Sequence, residues 1–179
     1  MNKVFSTKKM ILGGLFIALA YLLPYLTGNL GPLGAMLAPM HLPVLLAGYV
    51  CGGPVALLVG FVSPLLRYLL VGMPPLITAL AMSAELAAYG FFAGFFYQKL
   101  PRKTVNIYAS LLLAMLCGRV VWGVVMFILS GVTGNAFTFS IFLSGAFINA
   151  IPAIALQLIV IPLVVMGLKR TKALPEDLA

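Results

Sequence analysis

The stretch "PMHLPVLLAGYVCGGPVALLVGFVSPLLRYLLVGMPP", residues 39–75, holds two apolar segments joined by a Cys-Gly-Gly-Pro turn. As a helix, residues 42–51 would be only about 15 Å long at 1.5 Å per residue. A bilayer core is about 30 Å thick, so this segment cannot cross it alone. The preceding "LGPLGAMLAPMH" must complete the crossing as a re-entrant or loop-like segment packed against other helices. We predict a broken second span, with a kinked helix as the alternative, and Pro54 in the first turn of the next helix.

The composition of the whole chain indicates an integral membrane protein. Of its 179 residues, 63% are hydrophobic and only 8% are charged, whereas soluble domains carry about 25% charged residues. The apolar runs lack the period of two of a barrel strand, and helices are the other structure that satisfies the backbone in lipid. We predict an all-α membrane protein, a single six-helix domain over residues 1–179. Its spans are expected near residues 9–27, 33–51, 54–71, 76–98, 105–130 and 139–167.

The basic residues predict the orientation of these spans. All of the eleven Lys and Arg residues except Arg67 and Arg119 fall in three clusters. The clusters are Lys3, Lys8 and Lys9; Lys99, Arg102 and Lys103; and Lys169, Arg170 and Lys172. The loops at 28–32, 72–75 and 131–138 carry no charge, so the positive-inside rule places both termini in the cytoplasm.

The formal charge of +8 is explained by these topology anchors and by contacts with anionic lipid, so no nucleic-acid partner is expected. We predict a multi-pass protein of the cell (plasma) membrane. A cleaved signal peptide is the alternative for the first span, because "ALA" at residues 18–20 follows a basic and then an apolar stretch.

Few residues are available for catalysis or metal binding. Glu85 is the only acid within the predicted spans, His41 is the only histidine, and Cys51 and Cys117 match no metal-ligand spacing. Two-carboxylate mechanisms, multi-histidine zinc sites and phosphate-binding loops all lack their parts. We expect no enzyme activity, no metal and no cofactor, so ATP hydrolysis would belong to another chain. A structural membrane protein is one alternative, and a stand-alone channel or carrier is another.

Apart from Lys9 at the edge of the first span, three charged residues lie inside the predicted spans. Counted from the outer loops, Glu85 lies about 15 Å deep and Arg119 about 18 Å deep. They are expected to pair, because an isolated charge in lipid is far costlier. Arg67, about 8 Å deep, remains as an excess positive charge. It could snorkel to the interface, or it could bind a carboxylate of a ligand with two parallel hydrogen bonds.

His41, Trp122 and Asn149 are further candidate ligand contacts. His41 ends the broken segment, and it could instead cap the second helix. Trp122 could stack on a flat ring or pack in the core. Asn149, about 15 Å into the sixth span, carries an amide that needs a partner from ligand or protein. The predicted substrate site also includes the charged residues Arg67, Glu85 and Arg119.

The broken second span, the Gly-Pro turn and the glycine-containing third span resemble the substrate-binding S components of energy-coupling factor (ECF) vitamin transporters. The resemblance implies a six-span protein that binds a vitamin near the outer face. It also implies a transmembrane coupling subunit and two cytoplasmic ATPases as partners. In that family, small residues four apart on the first helix, often Ala-x-x-x-Ala, contact the coupling subunit. Gly14 and Ala18 match this position, with Gly replacing the first Ala, and packing within the monomer is the alternative.

We therefore expect the high-affinity substrate-binding subunit of an ECF-type ABC importer, with a stand-alone membrane carrier or channel as the alternative. The excess charge of Arg67 favours a small anionic vitamin or precursor, such as niacin or pantothenate, over a cationic thiamine-like ligand. Trp122 slightly favours a flat ring among such acids.

Overall fold

The computed structural model describes residues 5–28, 34, 36–101, 103–134 and 136–171, and no strand occurs among them. Lys3, Arg102 and Lys172 of the basic clusters lie outside the described residues, as do residues 29–33 and 35 of the predicted second span. The helical elements are α1 (Thr7–Gly28), α2 (His41–Cys51), α3 (Gly53–Val71), α4 (Leu76–Lys99), α5 (Thr104–Thr133), α6 (Phe139–Leu143), a π-helical turn (Ser144–Ile148) and α7 (Ile151–Arg170).

The predicted all-α membrane fold is confirmed. Four single helices, α1, α3, α4 and α5, are long and apolar enough to cross a membrane. The segment Phe139–Arg170 is also long and apolar enough, and α2 is a shorter apolar helix. Each of α1, α3, α4 and α5 begins and ends within three residues of a predicted span, and the division of the chain into six membrane spans stays a prediction.

The short helix α2 forms the centre of the bundle. It packs against α1, α3, α4 and α7, and all of its side chains except those of Leu42 and Leu46 are buried. Residues 37–40 just before it are not α-helical, and Ala38 has a left-handed φ of 45°. The second span is therefore broken before His41, as predicted, and the kinked helix is not observed.

The turn between α2 and α3 depends on two glycines. Gly52 has a φ of 87°, a conformation that residues with a side chain rarely adopt, and α3 follows at once with Pro54 in its first turn. Gly94 of α4 packs against this turn so closely that a β-carbon there would lie 2.3 Å from the backbone nitrogen of Gly53. Close backbone approach is a main source of helix association in lipid, so α4 is fixed against the turn.

The sixth span is not one regular helix. It starts as α6, continues through the π-helical turn, and resumes as α7 only at Ile151, with Pro152 in the first turn of α7. Proline has no backbone N–H to donate, so the α-helical hydrogen-bond pattern is interrupted before it. Asn149 directly follows the π-helical turn, so it lies at the interruption of the span rather than within a regular helix.

Candidate functional site

A cavity of about 830 Å³ opens at one end of the bundle. Its walls come from the last turns of α1, the segment before α2, the loop between α3 and α4, and the broken sixth span. The lining residues are Pro24, Thr27, Gly28, Gly34, Met36, Ala38, Pro39, Met40, His41, Arg67, Met73, Pro74, Thr78, Met82, Glu85, Arg119, Trp122, Gly145, Asn149, Ala150 and Ala153. The six residues predicted to form the substrate site thus all line one cavity, although they come from five different helical segments.

The deepest charges of the cavity form an ion pair. Arg119 Nη1 donates to Glu85 Oε1 at 2.7 Å, and both side chains are almost fully buried. This is the pairing expected from their matching depth. Its geometry locks α4 to α5, and it leaves no net charge at this level of the cavity.

Arg67 supplies the excess positive charge of the site. Its Nη1 donates to the carbonyl oxygen of Tyr21 at 3.1 Å, and its guanidinium carbon lies 4.9 Å from the centre of the Tyr25 ring. In the described part of the chain, no carboxylate pairs with it. Arg67 therefore faces α1 and the cavity, where its remaining N–H groups can donate to a ligand.

His41 contributes a buried imidazole beside the ion pair. Its Nε2 lies 3.8 Å from Glu85 Oε1, too far for a hydrogen bond, and its ring meets Tyr89 edge-on at 5.4 Å. Among the described residues, neither ring nitrogen of His41 has a hydrogen-bond partner, and Arg119 Nε has none either. His41 does not cap α2 through its side chain, so the alternative role for it is not observed. Buried polar atoms without partners are rare, and a bound molecule could satisfy them here.

Trp122 and Asn149 also line the cavity. Trp122 stacks near Phe142 and meets Phe137 edge-on, so it both packs against protein and faces the cavity. Asn149 is exposed, and its amide nitrogen lies 3.5 Å from Ser144 Oγ. Its amide thus has a partner within the protein, one of the two kinds of partner expected from the sequence, while the break that exposes Asn149 was not predicted.

Several lining residues carried no signal in the sequence. The methionines Met36, Met73 and Met82 look like ordinary apolar residues of a span, and Gly145 looks like one of many small residues. Only the sequence Ser144-Gly145 followed by Pro152 hinted at an interruption. Apolar lining residues are missed because a cavity wall and a lipid-facing wall use the same residue types.

Gly14 and Ala18 lie far from the cavity along α1. Both are exposed, and a β-carbon at Gly14 would meet no atom within 4 Å. They therefore do not pack within the monomer, which was the alternative to a role in docking. They leave a shallow strip of small residues on a helix whose surface is otherwise largely open.

Comparison with known proteins identifies the family. The sequence model of the family described as "ECF transporter, substrate-specific component" matches residues 8–165. No curated protein and no solved structure gives a significant match. The family match spans the helices that carry all six predicted substrate-site residues and the Gly14 and Ala18 pair.

Proposed function

This chain belongs to the family of substrate-specific components of ECF transporters, and we propose that it captures a small anionic vitamin or vitamin precursor. As a member of this family it is a multi-pass protein of the plasma membrane and a substrate-binding transport subunit, not an enzyme. The proposal concerns the substrate, the residues that bind it, and the partners that drive its uptake.

The observation that carries the proposal is the charge of the cavity. Glu85 and Arg119 neutralise each other at 2.7 Å, while Arg67 has no carboxylate partner among the described residues and lines the same cavity. Bringing a carboxylate to Arg67 would neutralise that charge with two parallel hydrogen bonds. A cationic ligand would add to it, and would be repelled.

The size and the walls of the cavity fit a molecule of vitamin size. Small-molecule sites typically measure about 300–1,000 Å³ and combine apolar walls with a few polar groups. Here the apolar walls include methionines, which adapt to the shape of a ligand, and the polar groups include those of Arg67, His41, Asn149 and the ion pair. We assign Arg67 to the carboxylate, Trp122 to the body of the substrate, and His41 and Asn149 to its other polar groups. Glu85 and Arg119 form the floor of the site.

The decisive experiment compares acids with their neutral counterparts. Native mass spectrometry of the purified chain would first identify any co-purified molecule. Calorimetry would then compare nicotinate with nicotinamide, and pantothenate with panthenol, because each pair differs mainly in the charged group. We expect at least one acid to bind and its neutral counterpart to bind tens-fold or more weakly, as for the loss of a buried charge-assisted contact.

Binding of nicotinamide, panthenol or thiamine at the affinity of the acids would contradict the proposal. Uptake should further require the transmembrane coupling subunit and the two cytoplasmic ATPases. Uptake by cells that produce this chain alone would instead favour a stand-alone carrier.

A further inference from the structure

Trp122 is the only tryptophan of the chain, and the last span holds its ring in place. The ring centres of Phe142 and Trp122 lie 6.2 Å apart at an interplanar angle of 26°. Phe137 meets the indole edge-on, with ring centres 6.0 Å apart. The orientation of Trp122, which belongs to α5, is therefore set by residues just before and within the sixth span.

Gly145 of the π-helical turn makes room for the tip of the indole. A β-carbon at position 145 would lie 2.8 Å from Cη2 of Trp122, closer than side-chain carbons pack without movement. Gly123 of α5 makes the reciprocal space, because a β-carbon there would lie 2.5 Å from Cε2 of Phe142. Each ring thus fills a space that a glycine on the facing element leaves free.

The π-helical turn places this contact at the wall of the cavity. Gly145 and Trp122 both line the cavity, and π-helical turns inside helices are frequent at functional sites. A ring that is already fixed loses little further freedom when a ligand stacks on it, so part of the cost of binding is avoided. Met36, Met73 and Met82 line the same cavity, and thioether sulfurs make favourable contacts with the edges of aromatic rings.

We propose that Gly145 is a positioning residue that fixes Trp122 as a stacking surface, and that the substrate is accordingly a flat aromatic carboxylate. Its ring lies against the indole, and its carboxylate reaches Arg67. This inference rests on the proposed function for the carboxylate, and it adds the choice of a flat ring over an aliphatic acid such as pantothenate.

The test uses Trp122 as its own probe, since no other tryptophan contributes to the emission of the chain. The purified chain in detergent is titrated with nicotinate, pantothenate, benzoate and cyclohexanecarboxylate, followed by calorimetry and by tryptophan fluorescence. Benzoate and cyclohexanecarboxylate share a charge and a six-membered ring but differ in flatness. We expect nicotinate to bind and to change the emission, and benzoate to bind about fivefold or more tightly than cyclohexanecarboxylate, the size of an aromatic pair contribution.

Variants then separate positioning from general stability. Gly145→Ala should shift the emission of the unliganded chain and bring the affinities of benzoate and cyclohexanecarboxylate together. Gly167→Ala on the same span is the matched control, because a β-carbon there would meet no atom within 4 Å, and it should leave both properties unchanged. Trp122→Phe should keep part of the preference for the flat acid, and Trp122→Leu should lose it. These two variants test the role of the indole independently if Gly145→Ala does not fold.

The possible results separate failure of the flat-ring inference from failure of the proposed anion-binding function. Binding of pantothenate without binding of nicotinate or benzoate would overturn the flat-ring inference and leave anion capture standing. Equal affinity of the wild-type chain for benzoate and cyclohexanecarboxylate would also overturn the flat-ring inference and leave anion capture standing. An unchanged preference in Gly145→Ala would refute its positioning role, and binding of neutral or cationic compounds in place of all acids would defeat the proposed function itself.

Discussion

Arg67 is the residue on which the choice of substrate depends, and its removal is the most direct test of its role. Loss of one partner of a buried charge-assisted contact costs about 2–5 kcal/mol, so Arg67→Ala should weaken binding of the anionic substrate by tens-fold or more. Arg67→Lys should recover only part of the affinity, because an ammonium group cannot make two parallel hydrogen bonds to a carboxylate. Calorimetry on the purified variants measures both effects.

The control for this substitution removes a charge without touching the cavity. Arg170 lies at the end of α7, away from the cavity, so Arg170→Ala should keep wild-type affinity. Arg67 also contacts Tyr21 and the Tyr25 ring, so thermal unfolding should be recorded for each variant. Wild-type affinity in a folded Arg67→Ala protein would remove Arg67 from the site.

For the Glu85–Arg119 pair we predict an effect on the stability of the fold. Removing one partner of a buried ion pair leaves an uncompensated charge and costs about 3–5 kcal/mol, whereas replacing both with apolar residues is often neutral. Glu85→Leu and Arg119→Met should each lower the midpoint of thermal unfolding in detergent, and the double variant should return close to the wild-type midpoint. If the decrease in the unfolding midpoint of the double variant equalled the sum of the two single decreases, Glu85 and Arg119 would not be energetically coupled, in contrast to what their 2.7 Å contact suggests.

At the scale of elements, α1 offers the strip formed by Gly14 and Ala18. Residues four apart share a helix face, and small residues let a second helix approach closely in lipid. Gly14→Leu and Ala18→Leu should therefore weaken co-purification with the coupling subunit while ligand affinity stays near the wild-type value. Gly167→Leu is a matched control on α7, since position 167 is likewise exposed and free of neighbours. Undiminished recovery of the coupling subunit with both α1 variants would show that another surface docks it.

The elements also show which features a sequence of this kind can predict. The break before α2 was predictable because length is decisive: residues 42–51 cannot cross a bilayer, whatever surrounds them. The interruption after α6 was not, because the segment Phe139–Arg170 is long and apolar enough to cross as a regular helix. Within the π-helical turn, Gly145 packs closely against Trp122, and hydropathy does not report such contacts.

In the candidate site, the charged and polar residues could be predicted from the sequence, but the apolar lining residues could not. Charged and polar residues in lipid need partners, so Arg67, Glu85 and Arg119 could be ranked by depth and matched by charge. The methionines and Gly145 of the cavity wall have no such need, and their role became visible only when the helices were assembled.

At the scale of the whole molecule, the basic clusters and the cavity lie at opposite ends of the bundle. Lys8 and Lys9 begin α1, and Lys99 ends α4. The cavity is instead lined by the last turns of α1 and by Met73 and Pro74 in the loop between α3 and α4. Under the positive-inside rule the basic end faces the cytoplasm, so the cavity should open to the outside, as capture of a nutrient requires.

This orientation can be tested by labelling single cysteines in intact cells. The native Cys51 and Cys117 would first be replaced by alanine, with ligand affinity as the check that the chain still folds. Met73 is 58% exposed at the cavity end, so Met73→Cys should react with a membrane-impermeant maleimide from outside, and bound substrate should slow the reaction because position 73 lines the cavity. Lys103, exposed at the opposite end, should react as Lys103→Cys only after the cells are made permeable. The reverse pattern would place the cavity on the cytoplasmic side, where it could not capture a nutrient from outside without first reorienting across the membrane.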